Sequence, residues 1–178
     1  MHQRVMTLSV AHVWSYVRPV TNQFISGRFE RDHTKKGCPL LMLNILFMCV
    51  ANSARSQMAE GLAREIFGRD AGIQSAGSLP KSLSPFAVSA MKEVGIDISR
   101  QWSKSPDDLS PGFIEKLDYV ITLCVEEVCP TMVSRAKKIH WPLRDPAAAS
   151  GSDAEKLKLF RETRDELQSR IVELKKSL

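Results

Sequence analysis

Cys49-Val50-Ala51-Asn52-Ser53-Ala54-Arg55-Ser56 follows the apolar run Leu43-Asn44-Ile45-Leu46-Phe47-Met48, and a helical pattern begins directly after it. That order reads as strand, tight loop and helix. A loop of this kind turns successive backbone N–H groups inward, and the start of the helix adds a partial positive charge. The resulting cradle suits a tetrahedral oxyanion. A cysteine at its base is expected to be largely thiolate near neutral pH, and hence a nucleophile. Arg55 ends the loop and offers a planar fork of donors to two oxygens at once. Asn52 can brace the loop through its side chain, and Ser56 can donate to the Cys49 sulfur. Val50, Ala51, Asn52, Ser53, Ala54, Arg55 and Ser56 are therefore the candidate anion-binding residues, with Cys49 as the candidate nucleophile.

Outward from this loop, strands and helices alternate. Met58, Leu62 and Ile66 recur at steps of four, which predicts a helix over 56–67 ended by Gly68. Ile73–Ala76 is a brief second strand closed by Gly77. Ser84-Pro85 opens a helix with Ala87, Val88, Met91 and Val94 on one face and Gly95 as its stop. Residues 111–117 make a weaker helix, 119–123 a β-rich strand, and 138–141 a short last strand. Ser152 caps a long helix in which Leu157, Phe160, Leu167, Ile171 and Leu174 form an apolar stripe. The alternation predicts an α/β fold: an open parallel sheet of four strands with helices on both faces.

Residues 1–40 differ. They are mixed in polarity, lack a sustained period, and hold six of the 25 Lys/Arg against two of the 20 acidic residues, so most of the net charge of +5 resides there. They are expected to be a poorly ordered extension or an over-extended start, with Met42 as an alternative first residue and 41–178 as the catalytic domain. Val5, Leu8, Val13 and Tyr16 leave a short amphipathic arm as the other reading. Because the excess charge is confined to that segment, no nucleic-acid partner is expected. No apolar run is long enough to span a bilayer, so no membrane partner is expected either. Cys38, Cys49, Cys124 and Cys129 are too few for a disulfide-stapled scaffold and point to a reducing cytoplasm with catalytic thiols.

Trp141-Pro142-Leu143-Arg144-Asp145-Pro146 follows the last strand, at the edge where open α/β sheets place their chemistry. A carboxylic acid there can protonate a leaving oxygen, which makes Asp145 the candidate general acid. Cys124, Cys129 and His140 lack a convincing fourth zinc ligand, and no metal is expected. His140, Trp102 and Trp141 are read as packing residues.

Cys49–Ser56, the following Gln57-Met58-Ala59-Glu60-Gly61 and the Asp145-Pro146 loop resemble the low-molecular-weight protein tyrosine phosphatase fold. Ser75-Ala76-Gly77-Ser78, Gly95-Ile96-Asp97, Val120–Cys124 and His140-Trp141 resemble more closely its arsenate reductases, which thiol partners recycle. The resemblance covers roughly residues 42–148, with the last helix matching in pattern only.

It implies reduction of arsenate to arsenite by a relay from Cys49 to Cys124 to Cys129, with Asp145 as proton donor. It further implies no bound cofactor and an external thiol reductant, thioredoxin or else glutaredoxin with glutathione. Two Cα atoms five residues apart on a regular helix lie roughly 8–9 Å from each other. A disulfide needs less than about 7 Å. A Cys124–Cys129 bond thus requires an irregular segment, predicted as a mobile loop over 125–134 that Pro130 assists.

Phosphotyrosine enzymes of this fold carry tyrosines after the Asp-Pro, where Ala147 and Ala148 stand here and leave a mouth open to a bare anion. Some reductase relatives bind potassium through an asparagine, a glutamate, a serine and an aspartate. Asn52, Glu60 and Ser75 match, but Lys104 stands at the aspartate position, so no potassium dependence is expected. The alternatives are a phosphotyrosine or small phosphate-ester phosphatase and, from another class, a non-catalytic oxyanion-binding redox sensor.

Overall fold

In the computed structural model, which describes residues 42–125 and 135–178, β1 (Leu43–Cys49) is buried on both faces along most of its length. Ile45 and Phe47 point into one apolar cluster, and Leu46 and Met48 into another. A strand between two packed layers must be apolar without alternation, which is why Ile45–Met48 is a continuous apolar run. β2 (Ala71–Gly77), β3 (Tyr119–Thr122) and β4 (Lys137–His140) complete the sheet in the order β2-β1-β3-β4, and every pairing is parallel. The expected four-stranded α/β architecture is therefore the observed one.

Helices α1 (Arg55–Phe67), α2 (Pro85–Lys92) and α4 (Asp153–Ser177) supply the larger cluster, with Met58, Leu62, Met91, Phe160, Leu167 and Ile171 facing Ile45, Phe47 and Ile121. The opposite face is thinner. There α3 (Pro111–Glu115), a single turn of five residues, lays Phe113 and Ile114 beside Leu46, Met48, Leu117 and Val120. α4 opens on Ser152, as its sequence indicated, and Glu155 completes a capping box with it. Its stripe of Phe160, Leu167, Ile171 and Leu174 is buried, and Leu157 packs at its margin.

Several boundaries differ from expectation. α2 stops at Lys92, and the turn to Gly95 at φ +79° leaves Val94 42% exposed instead of on the core face. α3 is shorter than 111–117, and β2 begins two residues earlier than predicted. Single 3-10 turns at 68–70, 106–108 and 146–148 carried no periodic signal. No helix among the described residues is long and apolar enough to cross a membrane. The expectations for residues 1–40, for the loop beyond Val125 and for Cys129 lie outside the described residues.

Because all strands run in parallel, the C-terminal ends of β1, β3 and β4 meet at one edge of the sheet. That edge carries Cys49, the Leu123-Cys124 step and the loop leading to Asp145.

Candidate active site

Cys49 is the last residue of β1 and only 2% exposed. Its Sγ lies 2.9 Å from Ser56 Oγ at the start of α1 and accepts the backbone N–H of Asn52 at 3.2 Å. Asn52 turns the loop at φ +44°, a left-handed conformation that asparagine tolerates better than most residues. Its amide orientation is settled by its neighbours. Oδ1 accepts from the backbone N–H of Lys104 at 2.8 Å, so the other atom must be the nitrogen, which donates to Ser56 Oγ (2.8 Å) and Ser75 Oγ (2.9 Å). Ser56 Oγ thus accepts from Asn52, and its own hydrogen points to Cys49 Sγ. Two donors thus face the sulfur.

Arg55 is 7% exposed at the first turn of α1. Nη1 donates to Leu143 O at 2.9 Å and Leu123 O at 3.2 Å, and Nη2 lies 3.5 Å from Asp145 Oδ2. Carbonyls beyond β3 and β4 therefore aim the guanidinium across the mouth of the loop. Asp145 caps the 146–148 turn, its Oδ1 accepting from Ala147 N–H at 3.2 Å. One carboxylate oxygen is held by the backbone and the other faces the arginine, with the side chain 40% exposed to solvent that can supply a proton. Cys124 follows β3 at 2% exposure and belongs to the same buried cluster as Cys49. Val50, Arg55, Cys124 and Asp145 line a single cleft of about 1020 Å³ that runs on toward Leu159 of α4. The loop after Cys49, Arg55, Cys124 and Asp145 are thus brought to one place.

Beneath the loop lies a buried ionic cluster. Ser75 Oγ, having accepted from Asn52, donates to Glu60 Oε2 at 2.5 Å. Lys104 Nζ sits 3.3 Å from the same oxygen, and Arg64 Nη2 2.5 Å from Oε1. Glu60 and Lys104 are 1% and 5% exposed, so each needs its partner. The three potassium-type residues and Lys104 are therefore together, but the set does not fit a potassium ion: an ammonium already faces the carboxylate.

Other loop supports were not singled out from sequence. Gln57 Nε2 and Ser103 Oγ both donate to Asn52 O, at 3.0 and 2.5 Å. Gly77, paired with Cys49 across β1–β2, abuts the loop so closely that a Cβ would stand 2.5 Å from Val50 O and 2.7 Å from Asn52 N. The close pairing of two strand ends carried a signal only in the Gly77 that closes β2. Trp141 packs on Phe47, but Trp102 is 57% exposed with Lys104 Nζ 5.3 Å from its ring centre, contrary to a packing role. His140 is likewise exposed, its Nδ1 2.8 Å from Thr122 Oγ1, because β4 is an edge strand.

Residues 44–178 match the family model described as low molecular weight phosphotyrosine protein phosphatase. The chain belongs to this family. Within it, an arsenate reductase of Halalkalibacterium halodurans is 45% identical over 129 residues, 71% of this chain and 91% of the relative. Among solved structures, an arsenate reductase in the phosphate-binding state superposes with a TM-score of 0.61 at 32% identity, over 75% of this chain and 96% of that one. A thioredoxin-dependent arsenate reductase of Corynebacterium glutamicum gives a TM-score of 0.59 at 32% identity, over 76% of this chain and 61% of that one. Family kinship thus falls on the domain that carries the loop, the arginine and the acid.

Proposed function

We propose that this member of the phosphatase family is an arsenate reductase working by a thiol relay. The assignment to arsenate reduction follows from its kinship with the 45% identical reductase. The observation that carries the mechanism is the single cleft lined by Val50, the residue that follows Cys49, together with Arg55, Cys124 and Asp145. A hydrolase needs one sulfur there; the second thiol is what a two-electron reduction uses.

In the first step the Cys49 thiolate attacks arsenic, and one arsenate oxygen leaves as water with a proton from Asp145. The loop amides and Arg55 take up the charge on the remaining oxygens. In the second, the Cys124 thiolate attacks Cys49 Sγ. The sulfur–arsenic bond breaks with its electron pair on arsenic, arsenic(V) becomes arsenic(III), and arsenite leaves with a Cys49–Cys124 disulfide behind it. In the third, the Cys129 thiolate attacks Cys124 and expels the Cys49 thiolate. An external dithiol, thioredoxin by analogy with the Corynebacterium glutamicum relative, returns two electrons to the Cys124–Cys129 pair. A reducing cytoplasm is the compartment in which such a cycle turns over.

A Cys124→Ser variant tests the relay. Multiple-turnover arsenite release with thioredoxin, thioredoxin reductase and NADPH should fall at least about a hundredfold. Slow hydrolysis of p-nitrophenyl phosphate, which uses only Cys49, Arg55 and Asp145, should stay within about twofold. Retained arsenite release in the variant would end the relay through Cys124, and a parent chain that hydrolyses the ester but releases no arsenite would end the reductase reading.

A further inference from the structure

Each of the five carbonyls from Val50 to Ala54 is occupied from outside the cradle. Val50 O accepts from Leu79 N–H, Ala51 O from Lys81 N–H and Ser53 O from Ser84 N–H, each at 2.9 Å. Asn52 O takes Gln57 Nε2 and Ser103 Oγ, and Ala54 O takes the helical N–H of Met58. In a trans peptide unit the C=O and the following N–H point in opposite directions. Holding a carbonyl outward therefore aims the next N–H inward. The Ala51–Asn52 unit shows this directly: its oxygen is held by Lys81, and its N–H reaches Cys49 Sγ at 3.2 Å.

Three of the five carbonyls are held by one exposed segment that no catalytic role explains. Leu79, Pro80, Lys81 and Ser82 are all solvent-exposed, Leu79 at 66%. Pro80, which has no N–H to give, stands between two donors. We propose that residues 79–84 are a backbone strap that sets the inward aim of the loop amides, with Leu79 and Lys81 as positioning residues acting through their N–H groups and not their side chains. The proposal rests on the reading of 49–56 as a tetraoxo-anion site, but not on arsenate reduction.

The test replaces single amides by esters in the full chain, using the α-hydroxy analogue of leucine at 79 or of lysine at 81, which removes the donor and keeps the side chain. An ester at Ser82, whose N–H lies outside this ladder, is the control. The probe is inorganic phosphate, read as protection of Cys49 from iodoacetamide across pH. An ester at Lys81 or Leu79 should weaken phosphate protection about tenfold and move the alkylation profile to higher pH, while the Ser82 ester follows the parent chain. Parent-like behaviour of the Lys81 and Leu79 esters, or an equal loss from the Ser82 ester, overturns the strap. A parent chain whose Cys49 phosphate does not protect overturns the anion site and the strap with it. Should the ester chains not fold, amide hydrogen exchange of the parent decides: slowed exchange at Leu79, Lys81 and Ser84 that phosphate slows further supports the strap, and unprotected exchange at all three overturns it.

Discussion

Gly77 is the register partner of Cys49, and the strand end it closes lies against the turn of the anion loop. A methyl group there meets backbone atoms, Val50 O at 2.5 Å and Asn52 N at 2.7 Å, neither of which can rotate away. Asn52 N is the amide that faces the Cys49 sulfur. Gly77→Ala should therefore cost about 1–3 kcal/mol of stability, the usual range for overpacking. It should also weaken phosphate binding more than tenfold, because the loop and β2 must part. Urea melts and phosphate titration check this; an alanine variant with parent affinity would show that the loop tolerates the shift. That Cys49, Asn52, Arg55, Ser56 and Asp145 would converge was legible in the sequence, because a strand–loop–helix pattern and a loop beyond a parallel strand set their places. The Ser103 and 79–84 contacts were not, since each acts across a tertiary contact, and a backbone donor leaves no mark on residue identity.

Element ends show the same division. The start of α4 was legible because a capping box is local: Ser152 Oγ accepts from Glu155 N–H, and Glu155 Oε2 accepts from Ser152 N–H at 2.8 Å. Those donors, the backbone N–H of Ser152 first and its hydroxyl second, hold the Glu155 carboxyl below its ordinary value of 4.5. A carboxylate with a lowered folded-state value contributes stability that is complete above its unfolded value and is lost as pH falls through the folded one. The melting temperature of the parent should thus exceed that of Glu155→Ala at pH 7, and the gap should narrow as pH drops below 4.5. A gap independent of pH would place the effect in side-chain packing. Burial of Arg164, by contrast, was illegible. It interrupts the apolar stripe of α4, yet it is 8% exposed and donates from Nη1 to Ala90 O at 2.8 Å and to Glu93 Oε2 at 3.3 Å. Arg161 grips the same Glu93, so the last turn of α2 is tied to α4 by two arginines. Ala90 O is thus satisfied from α4, while Met91 O and Lys92 O accept from the N–H groups of Val94, Gly95 and Ile96 in the turn that ends α2, and Val94 is left outside.

At the scale of the whole molecule, a parallel sheet explains why residues far apart in sequence act together. Cys49, Cys124 and Asp145 follow three different strands, and only a common direction puts them at one edge. The alternation of apolar runs and helical stripes made that topology readable; the uneven cover of the two faces was not, because α3 is a single turn. The Glu60–Lys104 pair ties these layers to the site. It links α1 through Glu60, β2 through Ser75, the loop through Asn52 and the 102–104 segment through Lys104. With an ammonium and a guanidinium already at the carboxylate, the cluster lacks the uncompensated negative charge that would draw a potassium ion. Replacing sodium by potassium chloride at equal ionic strength should leave the melting temperature and the arsenite rate unchanged. Lys104→Met should instead cost about 3 kcal/mol, the low end for breaking a buried pair, because Arg64 still holds Glu60 Oε1. Its effect should appear in phosphate affinity as well as in stability, since Glu60 anchors Ser75 and Ser75 anchors Asn52. A large upward melting shift specific to potassium in the parent chain would show that the cation enters despite Lys104. A neutral Lys104→Met would show that Arg64 alone compensates the buried carboxylate.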